Sequence, residues 1–324
     1  MPISQSDYVA PNWCPGAHLQ TVVPARMMPQ PTVEYRRERV ELPDGDFLLW
    51  DWAEPAPRRA DAPVLVHLHG LEGSSDSHYA KALMAACNER GWRGVVCHFR
   101  GCGGEINRLP RAYFAGDTKE NDWILRTIHA RFPDAPLYFV GVSLGGNNVA
   151  KYLGDMGEKA RFVKAAAAIG APVDLVAASE RISKGVNVFY ADMFLATLKP
   201  KVIEKAKMFP DLIDIKQIEN CKTMYEFDNI YTAPFHGFKS AMEYWQKCSC
   251  KPVLKNVRVP LLLLNAKNDP FLPAWTLPGE EEMSSYVTGE FPEEGGHIGF
   301  PQGRAPGNIN YLPQRIMRFF DAVS

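Results

Sequence analysis

Gly141-Val-Ser143-Leu-Gly145 is the feature that most restricts what this chain can fold into. The five residues follow a short apolar run, Pro136-Leu-Tyr-Phe-Val140, and precede a stretch with helical spacing, Asn147–Gly154. A strand that turns directly into a helix forces the residue at the bend out of the common φ/ψ regions. The glycines two residues to either side leave room for the backbone to close that tightly. The geometry lifts the serine hydroxyl above the end of the sheet, where a substrate can reach it. A glycine turn with a surface serine would spell the same letters. The strand before and the helix after are the context that the chemistry requires.

The rest of the chain repeats the strand–helix alternation, which predicts a mostly parallel sheet covered by helices on both faces. Asp46–Trp52 reads as an early edge strand, after the turn Pro43-Asp44-Gly45. Pro63–His69 reads as a central strand ending at Gly70, Tyr79–Arg90 as a helix stopping at Gly91, and Gly94–Phe99 as the next strand. Asn121–Phe132 reads as helix, and Phe162–Ile169 and Val259–Leu264 as two further strands. Between about Leu175 and Trp245 the rhythm breaks into helical patches rich in Met, Phe and Tyr. The division this implies is residues 1–174 as an N-terminal arm and first part of the core, 175–245 as an inserted helical cap, and 246–324 as the second part of the core.

A serine hydroxyl is a weak nucleophile until a base removes its proton. Proteins built round such an elbow supply the partners in the chain order Ser, then Asp or Glu, then His. Only His236 and His297 lie downstream of Ser143. His297 sits in Glu294-Gly-Gly-His-Ile-Gly-Phe300, a glycine-rich turn, and is the expected base. His236 lies among aromatics in the cap segment and is expected to be structural or pocket-lining. The acid has to follow a strand, because catalytic groups gather at the carboxyl ends of strands in open parallel sheets. Asp269 follows Pro260-Leu-Leu-Leu-Leu264 and is the expected acid. Asp174, after Ile169-Gly-Ala-Pro-Val, is its rival. The two oxyanion donors are expected to be the backbone N–H of Leu144 and that of Leu71, in the loop His69-Gly-Leu-Glu-Gly73. His69 reads as support for that loop. Arg100 reads as a brace for neighbouring loops rather than an anion-binding residue. Cap residues Phe189, Tyr190, Met193, Phe194, Met208, Phe209, Met224, Tyr225 and Phe227 are expected mainly to pack the cap, with some roofing an acyl pocket.

Composition removes other classes. A net charge of −1 gives no basic field for a phosphate backbone, so no nucleic-acid partner is expected, and pairs such as Arg36-Arg37 and Arg58-Arg59 read as solvated surface. No apolar run approaches the roughly 18 residues that a bilayer span needs, and Met1–Asp7 has neither a basic start nor an apolar stretch. Seven irregularly spaced cysteines suggest reduced thiols in a cytoplasmic protein, and no Cys/His/Asp/Glu spacing suggests a metal or other cofactor. Contact with a lipid surface stays open.

Several longer segments resemble the YheT-like branch of the α/β-hydrolases. They are Pro15-Gly-Ala-His-Leu-Gln-Thr21, Leu68-His-Gly-Leu-Glu-Gly-Ser-Ser-Asp-Ser-His-Tyr79, His98-Phe-Arg-Gly-Cys-Gly-Gly-Glu105, Asn107-Arg-Leu-Pro-Arg111, Asn265-Ala-Lys-Asn-Asp-Pro-Phe271 and Gly295-Gly-His297. The resemblance runs over nearly the whole chain. It implies an α/β-hydrolase fold with an inserted helical cap and a serine esterase using Ser143, Asp269 and His297. The expected partner is a small-molecule ester. An acyltransferase, thioesterase or lipase would use the same three residues, and a hydrolase-fold binding protein without catalysis is the reading from another class. A serine at the elbow stands against dehalogenase and epoxide-hydrolase chemistry, which place an aspartate there.

Overall fold

The computed structural model describes residues 3–54 and 59–323; Arg58, one of the paired arginines above, lies outside the described residues, as do Met1 and Pro2. Its strands are β1 (Ile3–Ser4), β2 (Arg36–Glu41), β3 (Phe47–Ala53), β4 (Val64–Leu68), β5 (Arg93–Cys97), β6 (Leu137–Val142), β7 (Val163–Ile169), β8 (Leu261–Leu264) and β9 (Val287–Glu290). They form one sheet in the order β1-β9-β8-β7-β6-β4-β5-β3-β2. Among the described residues β3 runs antiparallel to both its neighbours, β2 and β5, and the other pairings are parallel. The fold is therefore the α/β-hydrolase architecture, a mostly parallel sheet between layers of helices.

β4 shows why the central strands read as unbroken apolar runs. Every residue of Val64–Leu68 is buried, with Val64, Val66 and Leu68 in one core and Leu65 in the other. Helices α1 (Ala17–Arg26), α2 (His78–Glu89), α3 (Thr118–Arg131), α4 (Leu144–Met156) and, at the C-terminal end, α11 (Tyr311–Val323) surround the sheet. Ile124, Leu125 and Ile128 of α3 and Val149, Ala150 and Leu153 of α4 pack one face. Leu83 and Met84 of α2 and Ile316, Met317 and Phe320 of α11 pack the other. At about 1.5–3 kcal/mol per fully buried large apolar side chain, these two layers supply most of the stabilisation.

Between β7 and β8 lie α5 (Leu175–Ile182), α6 (Val188–Met208), α7 (Ile215–Asn220), α8 (Met224–Phe227), α9 (Ala233–Phe235) and α10 (Ala241–Cys248), with no strand among them. α6, α7 and α8 close a small core of their own around Leu198, Val202, Ile218 and Phe227. No helix among the described residues is long and apolar enough to cross a membrane. All seven cysteines are buried, and none forms a disulfide bond.

One strand expectation needs correcting. The Asp46–Trp52 segment is not an edge: β3 begins at Phe47 and is covered by β2, paired from Arg36↔Trp52 to Glu41↔Phe47. β2 reads Arg-Arg-Glu-Arg-Val-Glu and buries only Val40. Its backbone completes the sheet while its side chains remain largely in water, so it has none of the apolar alternation by which strands are recognised.

Candidate active site

Ser143 stands between β6 and α4 with φ 54° and ψ −121°. A residue with a side chain pays on the order of 1–3 kcal/mol for such a conformation, so the surroundings must hold it there. Ser143 N–H donates to the Ile169 carbonyl at 2.8 Å, and Asn147 N–H donates to the Ser143 carbonyl at 3.1 Å. The glycines are steric necessities. A Cβ on Gly141 would lie 2.0 Å from the Gly145 carbonyl oxygen, and one on Gly145 would lie 2.3 Å from that of Leu68.

The structure brings Ser143, His297 and Asp269 together. Ser143 Oγ is 2.9 Å from His297 Nε2, and His297 Nδ1 is 2.7 Å from Asp269 Oδ2. An ionised carboxylate can only accept, so Nδ1 carries the proton and Nε2 presents its lone pair to the serine hydroxyl. Asp269 Oδ1 accepts from the N–H groups of Phe271 at 2.8 Å and Leu272 at 3.3 Å, so the fully buried carboxylate has partners on both oxygens. The Phe271 ring covers the imidazole at 4.4 Å between centroids.

Sequence reasoning did not find what holds the histidine loop. Thr21 Oγ1, from α1, accepts the His297 N–H at 2.8 Å. The side-chain oxygen of fully buried Gln20 accepts from Gly295 N–H at 2.9 Å and from Asn268 Nδ2 at 2.8 Å. Asn268 Oδ1 in turn accepts from Gly296 N–H at 2.9 Å. A Cβ on Gly296 would lie 2.7 Å from the Gln20 backbone carbon, so the loop and α1 touch main chain to main chain. The signal was in the Pro15–Thr21 segment, whose polar residues have no reason to sit in an otherwise plain helix unless something distant needs them.

Leu71 and Leu144 line the same cavity as Ser143 and His297, and neither backbone N–H has an acceptor among the described residues. Leu144 opens α4, where helix N–H groups are unsatisfied and the dipole favours negative charge. The Leu71 loop abuts the elbow, since a Cβ on Gly70 would lie 3.2 Å from Ser143 Cβ. His69 supports this loop. Its Nε2 accepts the Phe99 N–H at 3.2 Å, which puts its proton on Nδ1, 2.7 Å from the Gly70 carbonyl. Burial holds the imidazole well below its ordinary pKa, and therefore neutral.

The other residues singled out from sequence stand apart from the triad, although Arg100 also lines the cavity. Asp174 caps α5, accepting from Ala177 N–H at 3.1 Å. The His236 ring nitrogens lie 2.7 and 3.1 Å from the Thr232 and Ala112 carbonyls, and the neutral ring donates to one of them, a structural position. Buried Arg100 meets Glu120 at 2.5 Å, Asp46 at 2.8 Å and Asp44 at 2.9 Å. Its guanidinium is consumed in bracing loops. Among the described residues no group of three or more His, Cys, Asp or Glu is arranged to hold a metal ion.

Above the elbow opens a cavity of about 1190 Å³ including its mouth. Its walls are mainly apolar: Leu175, Ile182, Phe194, Leu198, Phe227 and Trp245 among them. Of the cap residues expected to roof a pocket, Phe194, Met224 and Phe227 do so. Phe189, Met193, Met208 and Tyr225 are exposed instead, and Tyr190 packs on Phe271. Helical patches mark a segment without showing which side of each helix faces down.

A profile described as the alpha/beta hydrolase fold matches residues 63–303. The chain is similar to the YheT protein of Escherichia coli (strain K12), whose name places it provisionally among the esterases, with 38% identity over 97% of this chain and 92% of that one. It is 30% identical to phospholipase ABHD3 of Mus musculus, over 99% of this chain and 80% of the relative. Among solved structures, an esterase of Pyrococcus furiosus has a TM-score of 0.56 at 14% identity, covering 91% of this chain and 97% of the other, a likeness of fold alone.

Proposed function

Because the chain belongs to the alpha/beta hydrolase fold family, in the branch represented by YheT of Escherichia coli, we propose that it hydrolyses carboxylic esters through an acyl-enzyme formed on Ser143. The observation that carries this reading is the chain of short hydrogen bonds from Ser143 through His297 to Asp269, at the floor of an apolar cavity.

In the first step the Ser143 Oγ–H proton passes to His297 Nε2 as Oγ bonds to the ester carbonyl carbon. Asp269 stabilises the resulting imidazolium and keeps the ring oriented. The carbonyl oxygen becomes negative as its π bond opens, and the N–H groups of Leu71 and Leu144 are the donors positioned to receive it. When the carbonyl re-forms, the bond to the alcohol oxygen breaks and His297 returns its proton to that oxygen. Water then enters, loses a proton to His297, attacks the acyl carbonyl and releases the acid, and Ser143 regains its proton.

The acyl group is assigned to the apolar cavity. Each buried methylene contributes about 0.8 kcal/mol, close to a fourfold gain in specificity. The names of the relatives, a phospholipase and, at 25% identity, monoacylglycerol lipase ABHD2 of Mus musculus, support a lipid-like acyl ester. Hydrolysis of p-nitrophenyl esters from acetate to laurate tests the reading. kcat/KM is expected to climb by about fourfold per carbon to a short- or medium-chain optimum and then fall. Ser143→Ala is expected to remove turnover by several orders of magnitude while leaving the fold intact. A folded Ser143→Ala variant with wild-type turnover would refute the assignment.

A further inference from the structure

The loop that carries Leu71 is held by side chains that take no part in the steps above. Gly70–Gly73 form a turn closed by Gly73 N–H on the Gly70 carbonyl oxygen at 3.0 Å. Its third residue, Glu72, has φ 56°. That left-handed value suits the third position of a type II turn, where glycine normally sits. Here a glutamate takes the position, and it is tethered at both ends. Its N–H donates to Tyr113 Oη at 3.1 Å, and the same hydroxyl donates back to Glu72 Oε1 at 2.9 Å. The Tyr113 ring is itself fixed, stacked on Phe99 at 5.0 Å. The second tether comes from the helices above the cavity. Lys201 Nζ, on α6, lies 2.9 Å from Glu72 Oε2 and 3.0 Å from Oε1.

The Glu72 side chain is only 6% exposed, and that of Lys201 is 35% exposed. A carboxylate this buried needs donors, and removing the ammonium leaves it to find another arrangement. The Gly70 end of the turn is held by Tyr79 and His69, and the elbow beneath is locked by main-chain bonds, so the Glu72 end is the part left to shift. Leu71 is the residue immediately before Glu72, so any relaxation of the turn redirects the Leu71 N–H.

We propose that Lys201 and Glu72 are positioning residues, their ion pair fastening α6 to the Gly70–Gly73 turn and so aiming the Leu71 N–H at the oxygen that becomes negative. The assignment rests on the ester-hydrolase reading. It makes the helical insertion and the oxyanion donor one mechanical unit: seating α6 completes the site.

Steady-state kinetics on a single p-nitrophenyl ester test this with Lys201→Met, Lys201→Arg, Glu72→Gln and the double variant Lys201→Met/Glu72→Gln. Lys201→Met and Glu72→Gln are expected to lower kcat by about ten- to a hundredfold, less than deleting an oxyanion donor outright, with KM within about twofold. Lys201→Arg, which restores the charge, is expected to keep kcat within a fewfold of wild type. The double variant is expected to be no slower than the slower single variant, because both changes break one interaction. Thermal unfolding establishes that each variant is folded, and if Glu72→Gln is not, the contrast between the two Lys201 variants decides. A folded Lys201→Met enzyme with wild-type kcat, or one altered in KM alone, overturns the proposal. Turnover that survives Ser143→Ala overturns the hydrolytic reading, and this inference with it.

Discussion

Asp269 and Asp174 both follow a strand, and their environments separate them. Asp269 receives the imidazole and two backbone N–H groups, whereas Asp174 receives one N–H at the start of α5 and no histidine. Asp269→Asn replaces one carboxylate oxygen by an amide donor and favours the wrong imidazole tautomer. It is expected to lower kcat on the order of 10³–10⁴-fold. Asp174→Asn is expected to leave kcat/KM within about twofold and to cost well under about 1 kcal/mol, since asparagine also caps helices well. Parallel kinetics and urea unfolding of the two variants check this, and the reverse pattern would move the acid to Asp174. At this scale the residues expected to act were legible because each sits in a local pattern: glycines beside the serine, glycines before the histidine, an apolar run before the acid. The role of Glu72 was not legible, because it depends on Tyr113 and Lys201, distant in sequence.

The elements that sequence reasoning reached are those whose burial is continuous, such as β4, β6 and β8, and the amphipathic helices packed on them. β2 escaped because its charged side chains lie in water, and β9 because it is four residues long and contains Gly289, with only two-residue β1 beyond it. α11 is different: its spacing of Leu312, Ile316, Met317, Phe319 and Phe320 is plainly helical and was open to recognition. α1 was invisible as a functional element, because its contribution lies in polar contacts to a loop far along the chain. Thr21→Val tests that contribution. It keeps the shape of the side chain and leaves the buried His297 N–H without an acceptor, a cost of about 1–3 kcal/mol. kcat/KM is expected to fall by about tenfold or more through misplacement of the imidazole. Unchanged kinetics in the folded variant would show that α1 does not orient the histidine.

The molecule keeps several histidines away from water, and this shapes its response to acid. Burial lowers the pKa of His67 to about 3 and of His78 to about 4, that of His69 to well below its ordinary value, and those of His98 and His236 by lesser amounts. These groups stay neutral in the folded chain while the unfolded chain takes up protons from about pH 6.5 downward. Stability is therefore fully present above that pH and is lost as pH falls towards the folded values, by up to about 2 kcal/mol per deeply buried histidine at pH 5. Asp228, pushed up to about 6 by burial, and Glu120, also pushed up, run the other way and offset part of the loss. Urea unfolding is expected to show a decrease of a few kcal/mol between pH 7 and pH 5. A flat profile would mean that these histidines are hydrated or protonated in the native state. The same molecule, kept near neutral pH, allows the most direct test of its chemistry. After incubation with a fluorophosphonate, intact-mass and peptide mass spectrometry are expected to find one phosphonyl group per chain, on Ser143. Ser143→Ala is expected to stay unlabelled and His297→Ala to react at least about a hundredfold more slowly, as removal of the base demands. A folded wild-type chain that takes up no label, or takes it up on another residue, would contradict a nucleophile at Ser143.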